Sequence, residues 1–253
     1  MGGYGGRFAQ WVRSDNPQPY NSFGNGAAMR VSPVAHWFDT LDEVLDAAAA
    51  TARPSHNHDE GIKGAQTVAL AIFKAQVYRT YACKDASVFI DQILEECVEF
   101  SGYDINMPKA SVLNRFDETC QGTVPVALKV ISMATNYEDA VRMAVSLGAD
   151  ADTLGAIVGS IAEAIWGIPL ERRMEIKKFL PDEMQDVIAA FFHACPRAFK
   201  PLIDTSFSET AYSEVAQDVL EHEEAQELRS EMERNRDEKR KRMAERGKAR
   251  EQW

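Results

Sequence analysis

Gly148-Ala149-Asp150-Ala151-Asp152-Thr153 runs directly into Leu154-Gly155-Ala156-Ile157-Val158-Gly159-Ser160-Ile161-Ala162. The second part is apolar at nearly every position, and its glycines stand four apart, on one face of a helix. Small residues at that spacing let a neighbour come close, so the stretch reads as a helix in the middle of a helical bundle. The first part is the mouth of that helix and carries two carboxylates and a hydroxyl, hard oxygen donors of the kind that hold Mg²⁺, Mn²⁺ or Ca²⁺. An Asp or Thr before a helix is also an ordinary N-cap, and the pattern admits either role. Three oxygens are too few to hold a dication alone. The missing third acidic residue, central Gly and closing Glu exclude an EF-hand.

Outward from this stretch the same rhythm recurs. Asp39 or Thr40 can cap a helix with Leu41, Val44, Leu45 and Ala48 on one side. A loop from Pro54 to Glu60 precedes a helix from about Gly61 to Tyr81, with Ala65, Val68, Ala69, Ile72 and Phe73 as its apolar face. Further helices are expected over Asp85 to Phe100, up to Met133 with Pro125 in the first turn, and over Tyr137 to Leu147, Thr153 to Trp166, Leu170 to Phe179 and Asp182 to His193. No alternating strand pattern stands out, so the class is all-α. Residues 1–38, rich in Gly, Pro, Asn and Ser, read as a long loop with short apolar pieces.

With 253 residues and 45% apolar composition, the chain supports one sizeable domain, here 1–210, followed by a charged helical tail over 211–253. The net charge is −11, and residues 221–253 hold ten basic and ten acidic residues, so the entire excess lies in the preceding body. An acidic body gives no electrostatic reason to bind nucleic acid or anionic membranes. The tail reads as a solvated helix or as an element that binds a protein partner. Cys83, Cys97, Cys120 and Cys195 are widely spaced within apolar or helical stretches, which predicts reduced, mostly buried thiols in a cytoplasm. No apolar run is long enough to span a membrane.

Two other segments bear chemistry. In Asn21-Ser22-Phe23-Gly24-Asn25-Gly26 the glycines let backbone amides approach phosphate oxygens, Asn25 adds an oriented side chain, and Phe23 offers a face for a base. An ordinary Gly-Asn turn has the same composition. In Ser55-His56-Asn57-His58-Asp59-Glu60 the His-x-His pair could bind a transition metal, yet two imidazoles before a helix also serve as caps and surface groups. No order of residues defines a Ser-His-Asp or Cys-His catalytic arrangement, and no catalytic residue is assigned.

Four segments in sequence order, N-S-F-G-N-G-A-A-M-R-V-S-P (Asn21 to Pro33), S-H-N-H-D-E-G-I-K-G-A (Ser55 to Ala65), C-Q-G-T-V-P (Cys120 to Pro125) and S-L-G-A-D-A-D-T (Ser146 to Thr153), resemble those of the ADP-ribosylglycohydrolases. The resemblance runs from about Tyr4 to Pro169. It implies an all-α bundle that removes ADP-ribose from modified side chains or small molecules with a binuclear Mg²⁺ or Mn²⁺ centre. Asp150, Asp152 and Thr153 then resemble metal ligands. Ser22, Phe23, Gly24, Asn25 and Gly26 resemble the loop around diphosphate and adenine, with Phe23 stacking on the base. His56 resembles the histidine near the distal ribose. Asp59 stands where the family commonly has proline, and Ala149 and Ala151 where it has Gly and Ser. The family's Thr-Asp-Asp motif, which supplies the other metal ligands, occurs nowhere between Met1 and Trp253. The resemblance therefore predicts an N-terminally incomplete site, weakened metal binding and turnover, and exposed apolar surface.

Overall fold

Thr40 and Glu43 show how local sequence fixes an element. The Thr40 hydroxyl accepts from the Glu43 amide and the Glu43 carboxylate reaches back to the Thr40 amide, a reciprocal cap that starts α4, Leu41–Ala52. The computed structural model describes residues 5–81, 86, 89–195 and 248. Before α4 come α1 (Gly6–Val12), α2 (Gly26–Met29) and α3 (Ser32–Trp37). After it come α5 (Asp59–Tyr81), α6 (Ile90–Ser101), α7 (Cys120–Met133), α8 (Tyr137–Ser146), α9 (Ala151–Trp166), α10 (Leu170–Lys177) and α11 (Asp182–Ala194). A 3-10 turn, Lys109–Ser111, interrupts the long connection between α6 and α7. Among the described residues the only β pairing is an isolated bridge between Gly24 and Thr119. The all-α reading is correct.

α5 is the axis. It touches α2, α3, α4, α6, α7 and α9, and Ala65, Val68, Ala69, Ile72 and Phe73 are all buried as their spacing predicts. Leu70, Ala71 and Ala75 are buried too, so neighbours cover the helix on more than one side. α7 and α9 complete the centre with Val124, Leu128, Ile131, Leu154, Ile157 and Ile161, and each such side chain contributes about 1.5–3 kcal/mol relative to exposure. Gly64 makes the α5–α7 contact possible, because a Cβ there would lie 2.5 Å from Cys120 Sγ. Gly155 and Gly159 face α8, where their Cβ positions would meet Val145 and Val141 at 3.7 and 3.8 Å.

Three expectations need correction. Residues 1–38 are not one loop: α2 and α3 form because Ala27, Ala28, Val31 and Ala35 are buried against the bundle, and tertiary burial overrides the breaker-rich composition. Pro125 lies inside α7, not in its first turn, since the helix begins at Cys120 under the Thr119 cap. Proline there has no N–H to give the Gln121 carbonyl four residues back, and burial of α7 compensates. The helix expected from Asp85 is observed from Ile90. Cys97, Cys120 and Cys195 are buried free thiols, while Cys83 and the charged tail lie outside the described residues, apart from Lys248. α10 and α11 bury none of their residues, and Phe179 and Val187 are 85% and 69% exposed.

Candidate functional site

The segment Asn21 to Gly26 is stitched on both flanks. Asn21, in left-handed backbone (φ 56°), donates its amide to Asn57 Oδ1 at 2.7 Å, and the Ser22 amide donates to the Ser55 carbonyl at 3.3 Å. On the other flank the Asn25 amide donates to the Glu118 carbonyl at 2.7 Å and the Cys120 amide to the Phe23 carbonyl at 2.9 Å. Gly61 permits this assembly: a Cβ there would lie 2.7 Å from the Ser22 carbonyl oxygen and 3.0 Å from that of His56. The loop is therefore an anchored strap between the turn before α5 and the start of α7. Phe23 stays 40% exposed, with its ring edge-on to His58 at 5.2 Å between centroids.

His56 is buried behind the strap. Its Nδ1 lies 2.8 Å from Ser55 Oγ, which in turn accepts from Arg30 Nη2 at 3.4 Å, while Arg30 Nη1 donates to the Gly26 carbonyl. Arg30 and His56 thus both meet the Ser55 hydroxyl, whose two lone pairs and one proton suit either ring tautomer. The His56 Nε2 faces the strap, 3.4 Å from where a Gly24 Cβ would stand and 3.6 Å from that of Gly26. Burial, with the Arg30 charge adding to it, lowers the His56 pKa to about 4, so the ring is neutral at pH 7.

Asp150, Asp152 and Thr153 come together at the start of α9. Asp150 occupies the N-cap position, yet its side chain makes no cap hydrogen bond. Its Oδ2 instead accepts from Asn25 Nδ2 at 2.7 Å, so the capping role is not what this carboxylate does. Burial raises the Asp150 pKa; the Asn25 bond opposes this and the neighbouring Asp152 adds to it. Asp152 is exposed and held low by a hydrogen bond from Asp150 and by the first-turn amides of Thr153 and Asp152 itself. Thr153 is buried with its hydroxyl 3.5 Å from Met29 Sδ.

C-Q-G-T-V-P bears no recognisable chemistry of its own, and the structure supplies it with a role. Thr123 Oγ1 accepts from Asn25 Nδ2 at 2.9 Å and donates to the Asp117 carbonyl at 3.0 Å, and Cys120 Sγ donates to the Gly24 carbonyl at 3.2 Å. A threonine four residues into a helix carries no sequence mark of such a long-range contact. Beside it opens a cavity of about 460 Å³, whose wall includes Asp150, Thr123, Asp117, Arg115 and Tyr103. Tyr103 donates to Glu60 Oε2 at 3.0 Å, and Lys63 lies over the Tyr103 ring and pairs with Glu60 at 2.6 Å.

Hard carboxylate and hydroxyl oxygens at Asp150, Asp152 and Thr153 suit Mg²⁺ or Mn²⁺ as one side of a coordination shell. Among the described residues no group of three or more His, Cys, Asp or Glu side chains converges, so the rest of such a shell would come from water, substrate or other donors. His56 and His58 likewise form no metal cluster. No described helix is long and apolar enough to cross a membrane.

A glycine-bearing strap is thus held against the acidic oxygens at the start of α9 within an all-α bundle. The family model of the ADP-ribosylglycohydrolases matches residues 3–201, and the chain belongs to that family. The uncharacterized protein YegU of Escherichia coli (strain K12) is 25% identical over 177 residues, covering 58% of this chain and 52% of that one. The chain thus spans about half the length of this relative. A solved structure described as an ADP-ribosylglycohydrolase-related protein complex superposes with a TM-score of 0.51 over 74% of this chain and 66% of that one. At 21% identity it supports the fold alone.

Proposed function

We propose that the chain is an ADP-ribosyl hydrolase that cleaves the N- or O-glycosidic bond of an ADP-ribosylated protein or small molecule. The observation that carries this reading is the 2.7 Å bond from Asn25 to Asp150, which joins the strap to the acidic oxygens across 125 residues of sequence. The strap Ser22, Phe23, Gly24, Asn25 and Gly26 would run past the diphosphate and adenine, with the exposed ring of Phe23 against the base and the Asn25 side chain turned away to Asp150. His56, neutral and with Nε2 toward the strap, would hydrogen-bond a hydroxyl of the distal ribose. Asp150, Asp152 and Thr153 would hold Mg²⁺ or Mn²⁺, which when bound polarises ribose oxygens and acidifies water. The family centre has two ions, and three oxygens serve at most a part of it.

The shortage of converging ligands favours a second reading, an ADP-ribose-binding module without turnover. One pair of measurements separates the two: release of ADP-ribose from ADP-ribosylated protein in Mg²⁺ or Mn²⁺, and calorimetry with free ADP-ribose. Release supports the hydrolase. Micromolar binding without release supports the module, and neither binding nor release overturns both.

A further inference from the structure

Asn25 is buried, 6% exposed, and its side-chain nitrogen meets Asp150 Oδ2 at 2.7 Å, Thr123 Oγ1 at 2.9 Å and the Asp117 carbonyl at 3.4 Å. These neighbours settle which way the amide points. The Asp117 carbonyl can only accept and the Thr123 hydroxyl donates elsewhere, so an amide oxygen turned toward them would find no donor. The Thr123 hydroxyl spends its own proton on the Asp117 carbonyl at 3.0 Å and keeps lone pairs for Asn25. Two amide hydrogens thus go to the two nearest acceptors. The Asn25 backbone N–H is spent as well, on Glu118 at 2.7 Å, and its carbonyl accepts from Met29 at 2.9 Å. Asn25 sits in the ligand strap and has no donor left for a ligand.

We propose that Asn25 is a positioning residue for the cation rather than a phosphate contact, orienting the Asp150 carboxylate by holding Oδ2. Thr123 fixes the amide in turn. Partners that orient a metal ligand in this way commonly change affinity by about 10–100-fold when removed. The inference rests on the reading of Asp150 as a cation ligand.

The test uses the full chain and two ligands measured apart: Mn²⁺ by the electron paramagnetic resonance of the free ion, and ADP-ribose by calorimetry without metal. Asn25→Ala is expected to weaken Mn²⁺ about tenfold or more, while the metal-free ADP-ribose affinity moves by less than about threefold, since no donor to it is lost. In an Asp150→Asn background the same change is expected to cost no further Mn²⁺ affinity, whereas a general loosening of the fold would subtract again. If Asn25→Ala does not fold by circular dichroism, Asn25→Ser, too short to reach Asp150, is judged by the same numbers. Mn²⁺ affinity unchanged beside a tenfold loss for ADP-ribose would overturn the proposal and make Asn25 a direct ligand contact. A wild-type chain that binds ADP-ribose but no Mn²⁺ overturns the cation reading and this inference with it. Mn²⁺ binding that is present and untouched in the variants overturns this inference alone.

Discussion

The strap and the acidic oxygens at the start of α9 differ in how many contacts hold them. On the strap side, both flanks are hydrogen-bonded, Gly61 gives the room, and Arg30, Ser55 and His56 form a relay behind the loop. On the oxygen side, Asp150 is braced by Asn25, and among the described residues Asp152 and Thr153 stand with it. Backbone constraint dominates one side and side-chain chemistry the other. Damage to the strap should therefore appear first as lost stability, and damage to the oxygens as lost ligand affinity.

The largest effect is expected from Gly61→Ala. Its Cβ would press two carbonyl oxygens at 2.7 and 3.0 Å, and backbone cannot swing away as a side chain can. Urea unfolding should show a loss of about 2–3 kcal/mol, and ADP-ribose binding should fall at least tenfold because the strap is displaced. A fully stable variant would show that the strap is not held by this contact.

Next comes acidification. His56 ordinarily titrates near 6.5 and in the fold near 4, so the unfolded chain takes up its proton first as the pH falls. The contribution is complete above about pH 6.5 and is lost progressively toward pH 4. Between pH 7.5 and 5 it amounts to on the order of 2 kcal/mol. His56→Gln should flatten this part of the stability profile, and an unchanged slope in the variant would place the titration elsewhere.

The smallest stability effect belongs to Asp152→Asn, on an exposed side chain. Unfolding should move by less than about 0.5 kcal/mol, whereas Mn²⁺ affinity should drop about tenfold through loss of an anionic oxygen donor. Equal losses in both measurements would erase the contrast between the two sides.

Much of the fold was legible because its helices carry strong local signals. Thr40 before Glu43, and the apolar face from Ala65 to Phe73, can be read without knowing any neighbour. α2 and α3 could not be read so, since their small apolar residues become informative only when α5 covers them. α10 and α11 formed where periodicity placed them, although nothing in that periodicity reveals whether an apolar side is covered. Within the site, Asp150, Asp152, Thr153 and the strap were visible as motifs. The bond that joins them was not, because no local pattern marks the pairing of Asn25 with Thr123 and Asp150 across some hundred residues.

The most direct test of the central claim, that strap and oxygens form one site, is a calorimetric titration of ADP-ribose into the wild-type chain with and without saturating Mn²⁺. The account predicts micromolar binding that Mn²⁺ tightens about fivefold or more, with Mn²⁺ affinity raised by the same factor when ADP-ribose is bound. Identical affinity in both conditions, or no binding in either, would contradict it.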